Sequence, residues 1–361
     1  MNKILLSARD LKIGGIEKAL INLINYLIAN NYDVTLILEE KKGELLDEIS
    51  DKVKIVCYTP SRFKIVNLFN RLGFLFKYYN KFDTSISFAT YLKSGSFVAR
   101  MASKNSILWC HADYLSLFDG NKSKVKEFFE KLYYDYFSKI VFVSKQAQKT
   151  FLSVFPEQKN TYYCNNLIDY NKIYKQSEEK INLKYDPNIV TFLNVGRHDE
   201  KQKKLTRIIG AAKKLKNRNY EFRIIFVGDG KDTKKYKKIV NKNNLQDKII
   251  FVGKKENPYP YYKISNCVVL SSDYEGYPVV FLESYILNKP IITTNISDFE
   301  DIQNGRGIVT TKNIEGIYKS MEKFINNGYY IRNPFNVREY NKNVENTLES
   351  ILSRKEYRNE I

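Results

Sequence analysis

The chain has 361 residues, 59 Lys and Arg against 40 Asp and Glu, and a formal net charge of +19. That length predicts about two domains with a core each, and 43% hydrophobic with 14% aromatic residues exclude a disordered chain. No uncharged apolar run approaches the ~18 residues that would cross a bilayer, and the opening MNKILLSARD is too poor in apolar residues for a secretory signal. A mature protein facing the cytoplasm is the expectation.

Residues 3–8 read as a buried strand, followed by Gly14-Gly15-Ile16-Glu17-Lys18 and a helix over 17–29. Two glycines at a strand–helix turn let backbone N–H groups approach an anion at the helix N-terminus, although a plain turn uses them equally well. The pattern is not G-x-G-x-x-G, so no nicotinamide cofactor is indicated. Strands are predicted at 33–38, 53–57, 84–88, 106–110 and 139–143, separated by helix-length crossovers. Such alternation implies a parallel sheet covered on both faces. His111 directly follows the strand 106–110, at the carboxyl edge where open α/β sheets bind ligands. Taken alone it also suits a solvent-facing loop.

Within this half, residues 61–82 read SRFKIVNLFNRLGFLFKYYNKF. Arg62, Lys64, Arg71, Lys77 and Lys81 are interleaved with large aromatics, Phe74 among them, and no acid. Cations beside bulky apolar residues suit an interfacial helix on an anionic membrane. The plainer alternative is a crossover helix whose apolar face covers the sheet.

A polar segment without clear period, 170–185, reads as a linker between domains 1–169 and 186–335. The strand pattern then restarts at 189–195, with a helix over 205–215 and strands at 222–227, 248–252, 267–270 and 290–293. Gly196-Arg197 ends the first of these strands, and Lys201, Lys203 and Lys204 follow. An Arg and Lys at a strand end suit the clamping of a diphosphate; surface lysines alone would be a solvated run. In SSDYEGYPVVFLES, residues 271–284, Pro278 is placed to open a helix over 279–287, with Glu275, Gly276 and Tyr277 just before it. Glu283 falls inside that helix within an apolar stretch, where a carboxylate needs a hydrogen-bond partner. Residues 336–361 hold a last helix, 337–351, with no strand after it, expected to pack back on the first domain.

The four cysteines form no C-x-x-C pair and the chain has two histidines, so a Cys/His metal site is not expected and buried free thiols are. No D-x-D occurs, which argues against a metal-clamped donor. The positive charge is shared between both halves, without the concentrated basic face or module of a nucleic-acid binder.

In order, Gly14-Gly15, His111, Asn166-Leu167-Ile168-Asp169, Gly196-Arg197 with Lys203, and Glu275-x7-Glu283 resemble glycosyltransferase family 4. The resemblance spans nearly the whole chain and is most specific over 194–294. It implies an α/β GT-B fold, two Rossmann-like domains facing a cleft, and retaining, metal-independent transfer from a nucleotide-sugar. By that likeness the donor is a UDP-linked substrate rather than a cofactor, and the acceptor a lipid-linked or cell-surface glycan. Arg197 and Lys203 would bind the diphosphate, with Gly196, Gly276 and Tyr277 assisting. Glu283 would hold the ribose, Glu275 the donor sugar, His111 the sugar near its reacting carbon, and Gly14-Gly15 phosphate or acceptor. Lys203 is favoured over its neighbours because it precedes Thr206-Arg207-Ile208-Ile209 by three residues. The loop 295–298 departs from the glycine-rich turn of many relatives. A sugar-nucleotide epimerase of the same fold and a basic nucleic-acid-binding protein are the alternatives.

Overall fold

Each half of the chain builds a parallel sheet from short strands whose residues are buried on both faces, the pattern that helical crossovers require. The computed structural model describes residues 2–296 and 300–353. Two units are distinguished: the chain up to Ile168 together with residues from Arg338 onward, and Asp169–Val337.

The first unit contains β1 (Lys3–Ala8), β2 (Asp33–Leu38), β3 (Lys54–Cys57), β4 (Thr84–Ser87), β5 (Ser106–Cys110), β6 (Lys139–Phe142) and β7 (Thr161–Tyr163), in the order β3-β2-β1-β4-β5-β6-β7. The second contains β8 (Thr191–Val195), β9 (Arg223–Val227), β10 (Ile249–Gly253), β11 (Cys267–Leu270), β12 (Ile291–Thr294) and β13 (Gly307–Thr310), ordered β10-β9-β8-β11-β12-β13. Both orders are doubly wound, so each sheet has a switch point beside its first strand, β1/β4 and β8/β11. Around the second sheet, Phe192, Phe226, Ile209 and Met321 belong to one continuous core. Aromatic packing of Phe129, Phe142 and Phe151 fills part of the first.

The edge strands β7 and β13 were not anticipated. Both are short and only partly buried, so neither carries a hydrophobic period. The polar segment 170–185 is not wholly a linker: helix Tyr170–Ser177 is capped by Asp169, whose carboxylate accepts from Lys172 N at 2.9 Å. This helix belongs to the second unit, where Asn257 Nδ2 donates to the Gln176 carbonyl at 2.8 Å.

The helix Val337–Leu352 returns to the first unit. Asn341 donates to and accepts from the backbone of Ile168 at 2.8 and 3.2 Å, and Tyr340 donates to the Asn166 carbonyl at 2.9 Å. Its last carbonyls, which have no intrahelical donors, are taken by side chains at the amino ends of three strands. Lys139 Nζ donates to Ile351 and Ser353 at 2.5 and 2.9 Å, and Thr84 and Asn105 donate to Leu352 at 3.2 and 3.3 Å. Residues 354–361 of the predicted last segment lie outside the described residues. Of the cysteines, Cys110, Cys164 and Cys267 are buried free thiols, whereas Cys57, at the end of the edge strand β3, is exposed.

Candidate active site

In the second unit the loops after β8, β9 and β11 meet at the switch point. Gly196 N donates to the Val227 carbonyl at 3.0 Å, and His198 N to the Asp229 carbonyl at 3.0 Å. Gly228, at φ +145, permits this closeness: a Cβ there would stand 1.9 Å from the Gly196 carbonyl oxygen. Asp273 N, in the loop after β11, donates to the Gln202 carbonyl at 2.9 Å, joining the first loop to the third.

Lys203 and Glu275 are the ionic centre of this arrangement. Nζ lies 2.6 Å from Oε1, and Glu275 is buried. The carboxylate also accepts from Ser272 Oγ at 2.7 Å and from Gln202 Nε2 at 3.2 Å. A buried carboxylate with a cation and two neutral donors is well satisfied, which fixes the direction of the lysine. The three candidate lysines are thereby separated. Lys201 is exposed, and Lys204, left-handed at φ +51, turns to Asp273 at 3.5 Å. Arg197 is exposed in the turn and donates to Gln202 Oε1 at 3.2 Å.

Pro278 is the N-cap of helix Val279–Ile286 rather than its first residue, with extended backbone at φ −67 and ψ 117. Gly276 and Tyr277 are buried immediately before it, the Tyr277 ring edge-on to Phe281. Glu283, 3% exposed, accepts from the Tyr262 hydroxyl at 2.5 Å. Burial, and then the Glu283 carboxylate, push Tyr262 well above its ordinary pKa, so the phenol remains a donor.

Several residues here escaped the sequence reading. Gln202 bridges Arg197 and Glu275, Ser272 supports Glu275, and Tyr262 supports Glu283. Each is an ordinary polar residue made functional by a partner distant in sequence. His198 is a fourth: it is fully buried, its Nδ1 is 2.8 Å from Thr233 Oγ1, and Nε2 has no partner among the described residues. Burial lowers its pKa, so it stays neutral. Its signal was the run Gly196-Arg197-His198 facing Gly228-Asp229-Gly230 across adjacent strand ends.

In the first unit His111 follows β5, its ring 4.4 Å from that of Phe88 at the end of β4. Burial pushes its pKa down to about 3, opposed by a hydrogen bond to the Phe88 backbone. The imidazole is therefore neutral, with Nε2 shielded and unpartnered among the described residues. Gly14 and Gly15 open helix Gly15–Ala29, two residues earlier than anticipated. The expected anion cradle is modified by Glu17, whose Oε2 lies 2.2 Å from where a Gly14 Cβ would stand. A carboxylate of the first turn already faces the positive end of that helix.

Helix Lys64–Tyr78 holds four of the predicted membrane residues, Lys64, Arg71, Phe74 and Lys77, with Arg62 and Lys81 outside its ends, and one of the four is corrected. Phe74 is a core residue, 5% exposed and packed against Tyr58, Phe97 and Tyr78, so it cannot touch a membrane. The opposite stripe is uncovered: Ile65, Phe69, Leu72 and Phe76 are 70%, 67%, 52% and 90% exposed. A sheet-covering helix needs one apolar stripe; this one has two. Among the described residues, no helix is long and apolar enough to cross a membrane, and no group of three His, Cys, Asp or Glu could hold a metal ion. Ser297 and Asp298 of the loop 295–298 lie outside the described residues.

The fold has counterparts among known proteins. Residues 175–351 match the family described as glycosyl transferases group 1. An uncharacterized glycosyltransferase of Methanocaldococcus jannaschii is 30% identical over 194 residues, 52% of this chain and 48% of that protein. The chain thus spans about half the length of that curated relative. The fold is similar to that of Anabaena HepE solved with UDP and glucose, with TM-score 0.75 and 16% identity over 97% of this chain and 100% of that one. It also resembles the lipopolysaccharide outer core galactosyltransferase WaaB, with TM-score 0.68 and 15% identity over 97% and 99%. Residues 175–351 thus carry a match to the glycosyl transferases group 1 family, in a chain whose two doubly wound parallel sheets have the GT-B fold of those structures.

Proposed function

We propose that the protein transfers a sugar from a UDP-linked donor to a lipid-linked or cell-surface glycan acceptor, with retention of configuration and without a metal or resident cofactor. The observation that carries this reading is the Lys203–Glu275 pair, 2.6 Å apart at the β8/β11 switch point, with buried Glu283 one helix turn and more beyond it. A HepE structure of the same fold was solved with UDP, which supports the choice of nucleotide.

Departure of the nucleoside diphosphate creates negative charge at the leaving oxygen and an oxocarbenium-like sugar. Groups already fixed around that oxygen lower the barrier because they need no reorganisation. Lys203 and Arg197 supply the cations, with Gly196, Gly276 and Tyr277 around the same turn. Glu275 orients Lys203 and hydrogen-bonds the donor sugar, and Glu283, which accepts from Tyr262, is assigned to the ribose hydroxyls. The family resemblance assigns neutral His111 to the sugar near its reacting carbon and Gly14-Gly15 to phosphate or acceptor. No second carboxylate is assigned as nucleophile, so the acceptor attacks from the leaving-group face.

Action at the cytoplasmic face of a membrane is part of the same reading. The uncovered stripe of helix Lys64–Tyr78 is flanked by Arg62, Lys64, Arg71, Lys77 and Lys81, with no acid over 61–82. Apolar insertion plus attraction to anionic lipid is what such a composition supports.

The test is a thermal-shift screen of nucleoside diphosphates and their sugars, since a bound donor raises stability by mass action. UDP and one or more UDP-sugars should raise the midpoint, and NMR of the product should show the donor's anomeric configuration. Absence of any shift would remove the donor assignment, and an inverted product would remove the mechanism.

A further inference from the structure

His198 lies fully buried beyond the carboxyl end of β8, next to Arg197 but taking no part in the donor contacts. The loop after β9 grips its backbone on both sides. Its N–H donates to the Asp229 carbonyl at 3.0 Å, and its carbonyl accepts from Asp232 N at 3.2 Å. The fit is so close that a Cβ on Gly230 would stand 2.4 Å from the His198 carbonyl oxygen.

Hydrogen bonds to a neighbouring hydroxyl fix the state of the ring. Thr233 has one hydroxyl proton and two lone pairs to place. The proton goes to the Asp229 carboxylate, whose pKa that bond lowers, and Gly230 N donates to the oxygen at 3.0 Å. The remaining lone pair faces His198 Nδ1 at 2.8 Å, so Nδ1 carries the proton. Nε2 is then a bare acceptor, shielded from solvent and without a partner among the described residues. The ring stands edge-on among Phe226, Tyr236 and Phe251, at 6.2, 5.7 and 5.9 Å. Burial lowers its pKa, Asp229 opposes this and Lys237 adds to it, so the imidazole is uncharged.

An aromatic box of that kind would take an aliphatic side chain with no unpaired atom at all. A buried acceptor without a donor carries a cost, which the one polar contact of the ring has to justify. That contact ties the turn after β8 to Thr233, at the head of helix Thr233–Lys242. With His198 drawn inward, Arg197 is exposed in the same turn, its guanidinium on Gln202. We infer that His198 is a positioning residue for the donor diphosphate: its Nδ1–H clamps the turn to the loop after β9 and thereby fixes where Arg197 projects. The role deepens the donor reading above and rests on it.

The test compares His198→Asn, whose amide nitrogen can take the place of Nδ1, with His198→Leu, which fills the box and removes the N–H. Calorimetry reads the binding of UDP, and the thermal midpoint reads stability. His198→Leu should keep or raise the midpoint, because the unpaired Nε2 is gone, yet raise the Kd for UDP by about tenfold. His198→Asn should bind UDP within about threefold of the wild type. A histidine that only supports the fold would lower stability and affinity together in the leucine variant; that result, or wild-type affinity in it, overturns the role. Asparagine binding as weakly as leucine overturns it too, since the N–H would then be irrelevant. The chain contains two histidines, so NMR with labelled histidine nitrogens reports two imidazoles, and His111→Asn identifies that of His198. A protonated Nδ1 and a bare Nε2 are expected at neutral pH, and the opposite tautomer would remove the clamp. A wild type that binds no UDP while showing the expected tautomer would instead overturn the donor reading, and this role with it.

Discussion

Lys201, Lys203 and Lys204 are chemically identical in the sequence, and only the turn they share tells them apart. The left-handed Lys204 sends its amine to Asp273, and Lys203 is drawn to a carboxylate 72 positions away. No local pattern contains that information. Loss of a hydrogen bond to a charged group commonly costs about 1.5–3 kcal/mol. Arg197→Ala and Lys203→Ala should therefore raise the Kd for UDP by about 10- to 150-fold, read by calorimetry, with the fold retained by circular dichroism. The two glutamates should separate. Glu283→Gln, which keeps a partner for Tyr262, should weaken UDP itself, whereas Glu275→Gln, which keeps an amide oxygen to accept from Lys203, should largely spare UDP and depress turnover. The reverse pattern would exchange their roles. His111 makes a prediction in pH. Its folded pKa is depressed to about 3 by burial, and the unfolded imidazole titrates near 6.5. Between these values the unfolded chain binds more protons, so His111 contributes stability above about 6.5 that is lost as pH falls toward the folded value. The thermal midpoint of His111→Asn should fall less steeply over that window than that of the wild type, and its turnover should drop.

Elements were legible where burial was complete. The runs 3–8, 33–38, 106–110 and 267–270 are strands with those bounds, because strands covered on both faces read as unbroken apolar runs. The half-exposed edges β7 and β13 were missed for the opposite reason. Helix Lys64–Tyr78 shows what composition withholds: its phenylalanines were visible, but which of them face the core depends on the helix phase, and Phe74 was placed on the wrong side. Capping at long range was equally hidden. Lys139 begins β6 and reads as an edge cation, yet it is 9% exposed and closes the end of helix Val337–Leu352. Lys139→Ala should destabilise the first unit by about 1.5–3 kcal/mol, measured by urea unfolding. An unchanged midpoint would mean that water caps those carbonyls equally well.

For the molecule as a whole, a net charge of +19 sets a long-range preference for anionic surfaces. Charge reversal at Arg62, Lys64, Lys77 and Lys81 should lower affinity for anionic vesicles by orders of magnitude, at about 1 kcal/mol per cation removed. The difference should fade as salt rises, because screening acts over about 8–10 Å at ordinary ionic strength. Transfer to a short soluble acceptor should persist, and vesicle binding that ignores the reversals would sink the electrostatic part of the reading. The division into two doubly wound units was anticipated from the restart of the strand pattern, but the assignment of helix Tyr170–Ser177 to the second was not. That division also imposes an order on synthesis. The first unit is completed only when residues 338–352 dock beside Thr84, Asn105 and Lys139. On a ribosome moving at about 5–20 residues per second, those three side chains wait for the whole second unit to be translated. During that interval the nascent sheet carries an unfilled socket, with the buried Leu348 and Ile351 still to come. Early termination within the second unit would leave that socket permanently open, a surface that chaperones bind.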